Sequence, residues 1–155
     1  EERYQFQLMA MVLGGVPSSK LFQNVREKMS LCYYCSSGLA ANSRSMFIES
    51  GVETSNLEKA EEAIYGQLSA LQKGELTEEE LLSAKLAYCN SLRSINDSLP
   101  AMESAYLGQV FSGLVLPREE SIARVMSCTK EQVVEAANRL VPGAVFTLKG
   151  SGVHG

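Results

Sequence analysis

Apolar residues follow a helical spacing in the first thirty positions of the chain. Residues 3–13 are apolar densely enough for a buried helix, and Gly14-Gly15 followed by Pro17 predicts that this helix ends there. Ser18 or Ser19 is the predicted N-cap of the next helix. In that helix apolar residues recur at helical spacing, at Leu21, Phe22, Val25 and Met29. The pattern therefore predicts two helices with a sharp break between them.

The next two segments change to the alternating pattern of strands. One runs from Leu31 to Ala41 and the other from Met46 to Val52, with a polar loop at residues 42–45 between them. In the second segment, one face carries Met46, Ile48 and Val52, and the other carries Phe47, Glu49 and Glu53. An antiparallel hairpin is therefore predicted.

The rest of the chain is mainly helical in pattern. Three capping boxes predict helix starts, at Ser55 with Glu58, Thr77 with Glu80, and Thr129 with Gln132. Pro100 and Pro117 open two further helices, Gly74 ends the first capped one, and Ala144 to Leu148 forms a last apolar strand. This order predicts an α+β fold in which helices pack on one face of an antiparallel sheet.

Composition narrows the class of protein. With 155 residues, 45% of them hydrophobic, the chain is the size of one domain, and its start inside a helix and Gly-rich end predict a piece of a longer polypeptide. The net charge of -4 has interspersed signs, which argues against nucleic acid as a partner. Four cysteines without a signal peptide or a long apolar run favour a reduced, cytoplasmic protein with no membrane contact.

One segment carries a family resemblance. Residues 18–34, SSKLFQNVREKMSLCYY, resemble the S-(R/K)-L-F-x-x-(L/V)-R-E-K-x-x-L-x-Y segment of the pitrilysin/insulinase family of zinc peptidases, which includes the mitochondrial processing peptidases. The T-E-E-E-L-x-x-A-K run from Thr77 to Lys85 adds to the match, which extends over nearly the whole chain. The resemblance implies a C-terminal domain without the zinc motif, which forms a wall of a peptide chamber beside an N-terminal zinc-type domain or a sister subunit.

Arg26 and Tyr33 are the candidate site residues. Arg26 falls near the end of a predicted helix and Tyr33 near the start of the following strand, so their polar tips can meet as a clamp for an anion or a carbonyl. From the residues alone, the favoured interpretation is that Arg26 is an exposed base beside Glu27 and Tyr33 an ordinary strand aromatic. The resemblance implies that the pair binds the carbonyl of a peptide substrate at a zinc site in another domain or subunit.

The same resemblance leaves a second function open. A noncatalytic member of the family would act as a scaffolding or peptide-binding subunit, and an upstream H-x-x-E-H motif would distinguish the peptidase from it. The aromatic and serine residues from Tyr33 to Ser37 also allow an exposed strand edge that pairs with a peptide, although a strand paired inside the sheet is favoured.

No metal site is predicted in this chain. Its single histidine, His154, cannot supply the two imidazoles of the family's zinc motif, so zinc belongs to the partner domain and the chain alone is predicted to be inactive. Cys32 and Cys35 fall on opposite faces of a strand, and Cys89 and Cys128 are isolated. All four cysteines are therefore expected to be reduced core thiols.

Overall fold

The structure, a computed structural model, describes residues 2–40, 45–95, 98–113 and 115–149. Within these ranges, helices pack on one face of an antiparallel hairpin, as expected of an α+β fold with helices packed on a sheet. The elements are α1 (Glu2–Ala10), π1 (Met11–Gly15), π2 (Leu21–Lys28), β1 (Tyr34–Leu39), β2 (Met46–Gly51), a 3-10 turn (Thr54–Asn56), α2 (Leu57–Gln72), α3 (Glu78–Ser94), α4 (Leu99–Ser112), α5 (Arg118–Ser127) and α6 (Lys130–Asn138).

The first helix lies at the centre of the core. Leu8, Met9, Val12 and Leu13 of α1 and π1 are fully buried, and these two elements contact β1, α3, α5 and α6. Burying each such side chain contributes roughly 1.5–3 kcal/mol. The core thus anchors β1 and leaves the opposite face of the hairpin exposed.

The hairpin has the predicted alternation. Its register pairs Tyr34 with Gly51 at one end and Leu39 with Met46 at the other. Met46 and Ile48 pack against the core while Phe47 and Glu49 are exposed, which confirms the predicted faces of β2. Of the predicted loop at residues 42–45, only Ser45 lies within the described residues.

The predicted helix end at Gly14-Gly15 is confirmed, because the first helix takes wider, π-type turns through both glycines, ends at Gly15, and is followed by an extended Val16. Gly14 is buried, and a Cβ there would lie 2.6 Å from the backbone nitrogen of Ser37 and 2.8 Å from its Oγ. The Ser37 hydroxyl in turn donates to the carbonyl of Ala10 at 2.8 Å. Gly14 therefore also allows β1 to approach the helix closely. A sequence pattern that marks the end of a helix does not reveal this second role.

Two of the predicted helix caps are wrong and two are confirmed. The Ser18 hydroxyl pairs with Ser83, the Ser19 hydroxyl is buried without a partner among the described residues, and π2 has no side-chain cap. At Ser55 a 3-10 turn replaces the predicted box, and α2 begins without a side-chain cap. The two complete capping boxes are those of Thr77 with Glu80 and Thr129 with Gln132.

The predicted last strand, Ala144 to Leu148, is irregular in the structure. Val145 and Phe146 border a groove that Ile48 of β2 and Tyr65 of α2 also line. Phe146 and Leu148 are nearly or fully exposed. No backbone hydrogen bond joins residues 144–148 to the described part of β2. The apolar, β-branched pattern of this segment is therefore not enough to predict a strand.

Candidate functional site

A left-handed turn connects π2 to the hairpin. Ser30 adopts φ 51°, and the N–H of Leu31 donates to the carbonyl of Val25 at 3.1 Å. This closure ends the helix in the manner of a C-terminal cap, although glycine is the residue that usually takes this conformation. The turn sends the chain back beside its own helix and so brings Tyr33 next to Arg26.

The start of β1 carries a bulge. The register places Tyr34 opposite Gly51, and the N–H of Tyr33 also donates to the carbonyl of Gly51 at 2.8 Å. Two residues of one strand thus face one residue of the other, which re-aims their side chains. Tyr33 and Tyr34 are both exposed, at 63% and 55%, whereas Cys35 is buried.

Arg26 is held at this bulge by three contacts. Its Nε–H donates to the backbone carbonyl of Tyr33 at 2.9 Å, and its Nη1 lies 3.5 Å from Oε1 of Glu27. Its Cζ lies 4.6 Å from the centroid of the Phe22 ring, a cation–π distance. None of the contacts among the described residues uses the Nη2 donors, which therefore remain for an incoming acceptor.

The phenol of Tyr33 bonds to Glu53. Its O–H donates to Oε1 of Glu53, which follows β2 on the exposed side of the hairpin. The sequence had placed Glu53 on the polar face without a role, since the contact depends on the bulge. The structure thus brings Arg26 and Tyr33 together at one exposed point, but through the backbone carbonyl of Tyr33 and with Glu53 as the partner of the phenol.

The cysteines beside the site are free thiols. Burial raises the pKa of Cys35 to about 11, a hydrogen bond with Ser50 opposes this, and the neighbouring Cys32 thiol adds to it. The two thiols interact because Cys32 precedes β1 and the bulge intervenes, contrary to the expected separation on opposite faces. A thiol with so high a pKa is a poor nucleophile near neutral pH.

The part of the chain that the structure describes offers no metal site. It contains no cluster of three or more His, Cys, Asp or Glu side chains that could hold an ion. His154 lies outside the described residues. Within the same limits, no helix is long and apolar enough to cross a membrane.

Comparison with known proteins connects this chain to a family. Residues 1–88 match the family model described as the peptidase M16 inactive domain. The chain is 29% identical over 140 residues to the probable inactive metalloprotease YmfF of Bacillus subtilis and 28% identical over 148 residues to an uncharacterized zinc protease of Rickettsia felis. These matches cover 90% of the chain but only 33% and 34% of the two relatives, so the chain spans about a third of their length.

Solved structures agree with that match. A conserved protein of Enterococcus faecalis V583 has a TM-score of 0.82 and 31% identity, over 90% of this chain and 33% of its own. The peptidase M16 inactive domain from Pseudomonas fluorescens has a TM-score of 0.73 and 25% identity, over 91% and 34%. A protease from Helicobacter pylori, at 19% identity and a TM-score of 0.77 over 89% and 34%, shows the fold alone.

Proposed function

The chain belongs to the peptidase M16 family, whose inactive domain its first 88 residues match, and we propose that it supplies Arg26 and Tyr33 to a zinc site in another domain or subunit. The membership confirms the resemblance drawn from residues 18–34. In this proposal the domain forms one wall of a peptide chamber, and the reaction served is hydrolysis of a peptide held against that wall.

The observation that carries the proposal is the meeting of Arg26 and Tyr33 at one exposed point. A guanidinium is a hydrogen-bond donor suited to a peptide carbonyl oxygen, and the phenol of Tyr33 becomes one when its single O–H turns from Glu53 to the substrate. Donors aimed at an oxygen that gains charge lower a reaction barrier. Arg26 is preorganised by the carbonyl of Tyr33 and the ring of Phe22. Zinc, when bound in the partner, supplies a Lewis acid and an activated water, and the residues of this chain hold and polarise the carbonyl.

An exposed apolar surface supports the need for a partner. Helix α4 carries partly exposed Met102, Tyr106, Leu107 and Val110, and it makes few contacts with the other described elements. Contiguous exposed apolar side chains of this kind are typical of surfaces that another domain covers. Relatives that are three times longer than the region matched are consistent with such a domain.

A noncatalytic role is the second candidate. The relative from Bacillus subtilis is named a probable inactive metalloprotease, so the family includes proteins with that description. In that case the same domain would bind peptides or partner domains without assisting hydrolysis. The presence or absence of an H-x-x-E-H motif in the partner domain distinguishes the two candidates.

The test uses an assembly that contains the zinc-type domain. Arg26→Ala and Tyr33→Phe should each lower kcat/KM by about 10²-fold, the loss expected for one oxyanion donor, with little change in thermal stability. Arg118→Ala and Tyr65→Phe are the controls, since Arg118 also pairs with the following glutamate and Tyr65 is an exposed tyrosine on α2. Unchanged kcat/KM in the two site variants would exclude the proposed catalytic role.

A further inference from the structure

The exposed face of the hairpin consists of three cross-strand pairs. They are Tyr34 with Gly51, Ser36 with Glu49, and Gly38 with Phe47. A Cβ at Gly51 would lie 2.9 Å from Cδ1 of Tyr34, and one at Gly38 would lie 2.9 Å from Cζ of Phe47. Each ring therefore lies across the opposite strand, in space that only a glycine leaves open. We call these three pairs the outer face.

A carboxylate lies between the two rings. Glu49 occupies the central pair, is exposed, and makes no hydrogen bond or ion pair with another described side chain. Glu53 adds a second negative charge at the end of the hairpin where Tyr33 and Arg26 meet. Because Arg26 is already beside Glu27, the described part of this face is acidic. It is complementary to a positively charged side chain.

The spacing of the three pairs matches that of an extended peptide. Alternate residues of a strand are roughly 6.6 Å apart, so a ring, a carboxylate and a ring follow one another at about that interval. An extended peptide presents every second side chain toward such a face at the same interval. A basic side chain above Glu49 would therefore place the side chains two positions before and after it over the rings of Tyr34 and Phe47.

We infer that the outer face binds an extended peptide that carries a lysine or arginine flanked, two positions away on each side, by large apolar residues. The inference rests on the proposed function, in which this domain lines a peptide chamber, and it names the class of peptide. The rings supply apolar contact and cation–π attraction, and Glu49 supplies the charge. The Tyr34–Gly51 end adjoins the Arg26–Tyr33 site, because Tyr33 donates to the carbonyl of Gly51.

Stabilisation of the hairpin does not account for the whole arrangement. A ring laid over a cross-strand glycine protects the backbone and strengthens the pairing. However, Tyr34 and Phe47 remain 55% and 43% exposed, and Glu49 between them adds nothing to that protection. The charge and the exposed ring surface are the features that a peptide would use.

Three fluorescent nonapeptides test the inference by anisotropy with the 155-residue chain. The first has a central lysine with phenylalanine two positions away on each side in a serine background. The second has the same composition with phenylalanine directly beside the lysine, and the third has glutamate at the centre. The first should bind about tenfold more tightly than either of the others, and added salt should weaken its binding.

Variants of the outer face measure how much its carboxylate and its rings each contribute to peptide binding. Glu49→Gln should weaken binding of the first peptide by about tenfold, whereas Glu62→Gln, an exposed carboxylate on α2, should leave it unchanged. Gly51→Ala should displace the ring of Tyr34 and weaken binding about fivefold. Circular dichroism of each variant reports whether the hairpin is intact, and Glu49→Gln decides the question if Gly51→Ala unfolds it.

Equal binding of the three peptides, or a Glu49→Gln variant with unchanged affinity, would overturn the inference. So would binding to the isolated chain that is lost in the assembly with the zinc-type domain, since the face would then be covered. Failure of the proposed function gives a different result. In that case register-specific binding persists, while Arg26→Ala and Tyr33→Phe leave hydrolysis unchanged.

Discussion

The Nε–H of Arg26 donates to the backbone carbonyl of Tyr33 at 2.9 Å, whereas the phenol of Tyr33 bonds to Glu53. The guanidinium is thus fixed by a main-chain atom that any residue at position 33 would supply. The phenol depends instead on an exposed carboxylate from the other strand. Variants at these positions should therefore distinguish the contribution of the guanidinium to activity from that of the phenol.

Replacing Glu53 should affect activity only through Tyr33. In an assembly with the zinc-type domain, Glu53→Ala should lower kcat/KM about tenfold, because the phenol loses the carboxylate that positions it until its O–H turns to the substrate. In a Tyr33→Phe background the same substitution should have no further effect, since the group that it positions is gone. Equal losses in both backgrounds, measured by steady-state kinetics, would show that Glu53 acts independently of the phenol.

Gly14 should not tolerate a side chain. Gly14→Ala is expected to lower the free energy of unfolding by about 1–3 kcal/mol, since its Cβ would meet the backbone of Ser37, which cannot rotate away. Gly66→Ala is the control, because Gly66 lies within α2 with no atom near its would-be Cβ. That variant should gain up to about 1 kcal/mol from helix propensity. Urea unfolding of both variants measures the contrast, and two equal effects would contradict the close approach.

A glycine at position 30 should stabilise the protein. Ser30 is exposed and adopts φ 51°, a conformation that costs a residue with a Cβ roughly 1–2 kcal/mol. Ser30→Gly should therefore raise the melting temperature, although the greater freedom of glycine in the unfolded chain offsets part of the gain. Ser30→Ala keeps the Cβ and should give no such gain. A lower melting temperature for Ser30→Gly would argue against the left-handed turn.

Local patterns predicted what local interactions determine. The capping boxes at Thr77 and Thr129, each made by residues three positions apart, are confirmed, whereas the equally local box predicted at Ser55 is replaced by a 3-10 turn. The faces of β2 are confirmed because alternation follows directly from strand geometry. By contrast, the role of Gly14 and the isolation of the Ala144 to Leu148 segment depend on distant parts of the chain.

The candidate site shows the same division. The spacing of Arg26 and Tyr33 predicts that a helix end and a strand start bring their polar tips together, whereas the structure joins the Arg26 side chain to the main chain of Tyr33. The atoms that meet could not be predicted, because the bulge at Tyr33 and Tyr34 decides which way each side chain points. The bulge also brings Glu53 to the phenol, and no local pattern indicates it.

Glu80 combines two stabilising contacts at the start of α3. Its carboxylate accepts the N–H of Thr77 at 2.8 Å and the ammonium of Lys20 at 3.0 Å, and Lys20 is largely buried. Burial opposes ionisation of Glu80, but the hydrogen bonds from Thr77 and Lys20 and the charge of Lys20 outweigh it and lower the pKa of this carboxyl. The folded state therefore favours the ionised form more than the unfolded chain does.

This direction gives Glu80 a defined pH dependence. Because its pKa is lower in the folded state, its contribution is present above the unfolded pKa of about 4.3 and is lost as the pH falls through the folded pKa. Glu80→Gln should lower the free energy of unfolding by about 1 kcal/mol at pH 7 and show a shallower decline in acid. Glu79→Gln, at the exposed neighbouring position, should keep the steep decline. Urea unfolding at several pH values from 7 into the acid range measures how steeply the free energy of unfolding of each protein falls with pH. An equally steep fall for Glu80→Gln and the unmodified chain would contradict a depressed pKa.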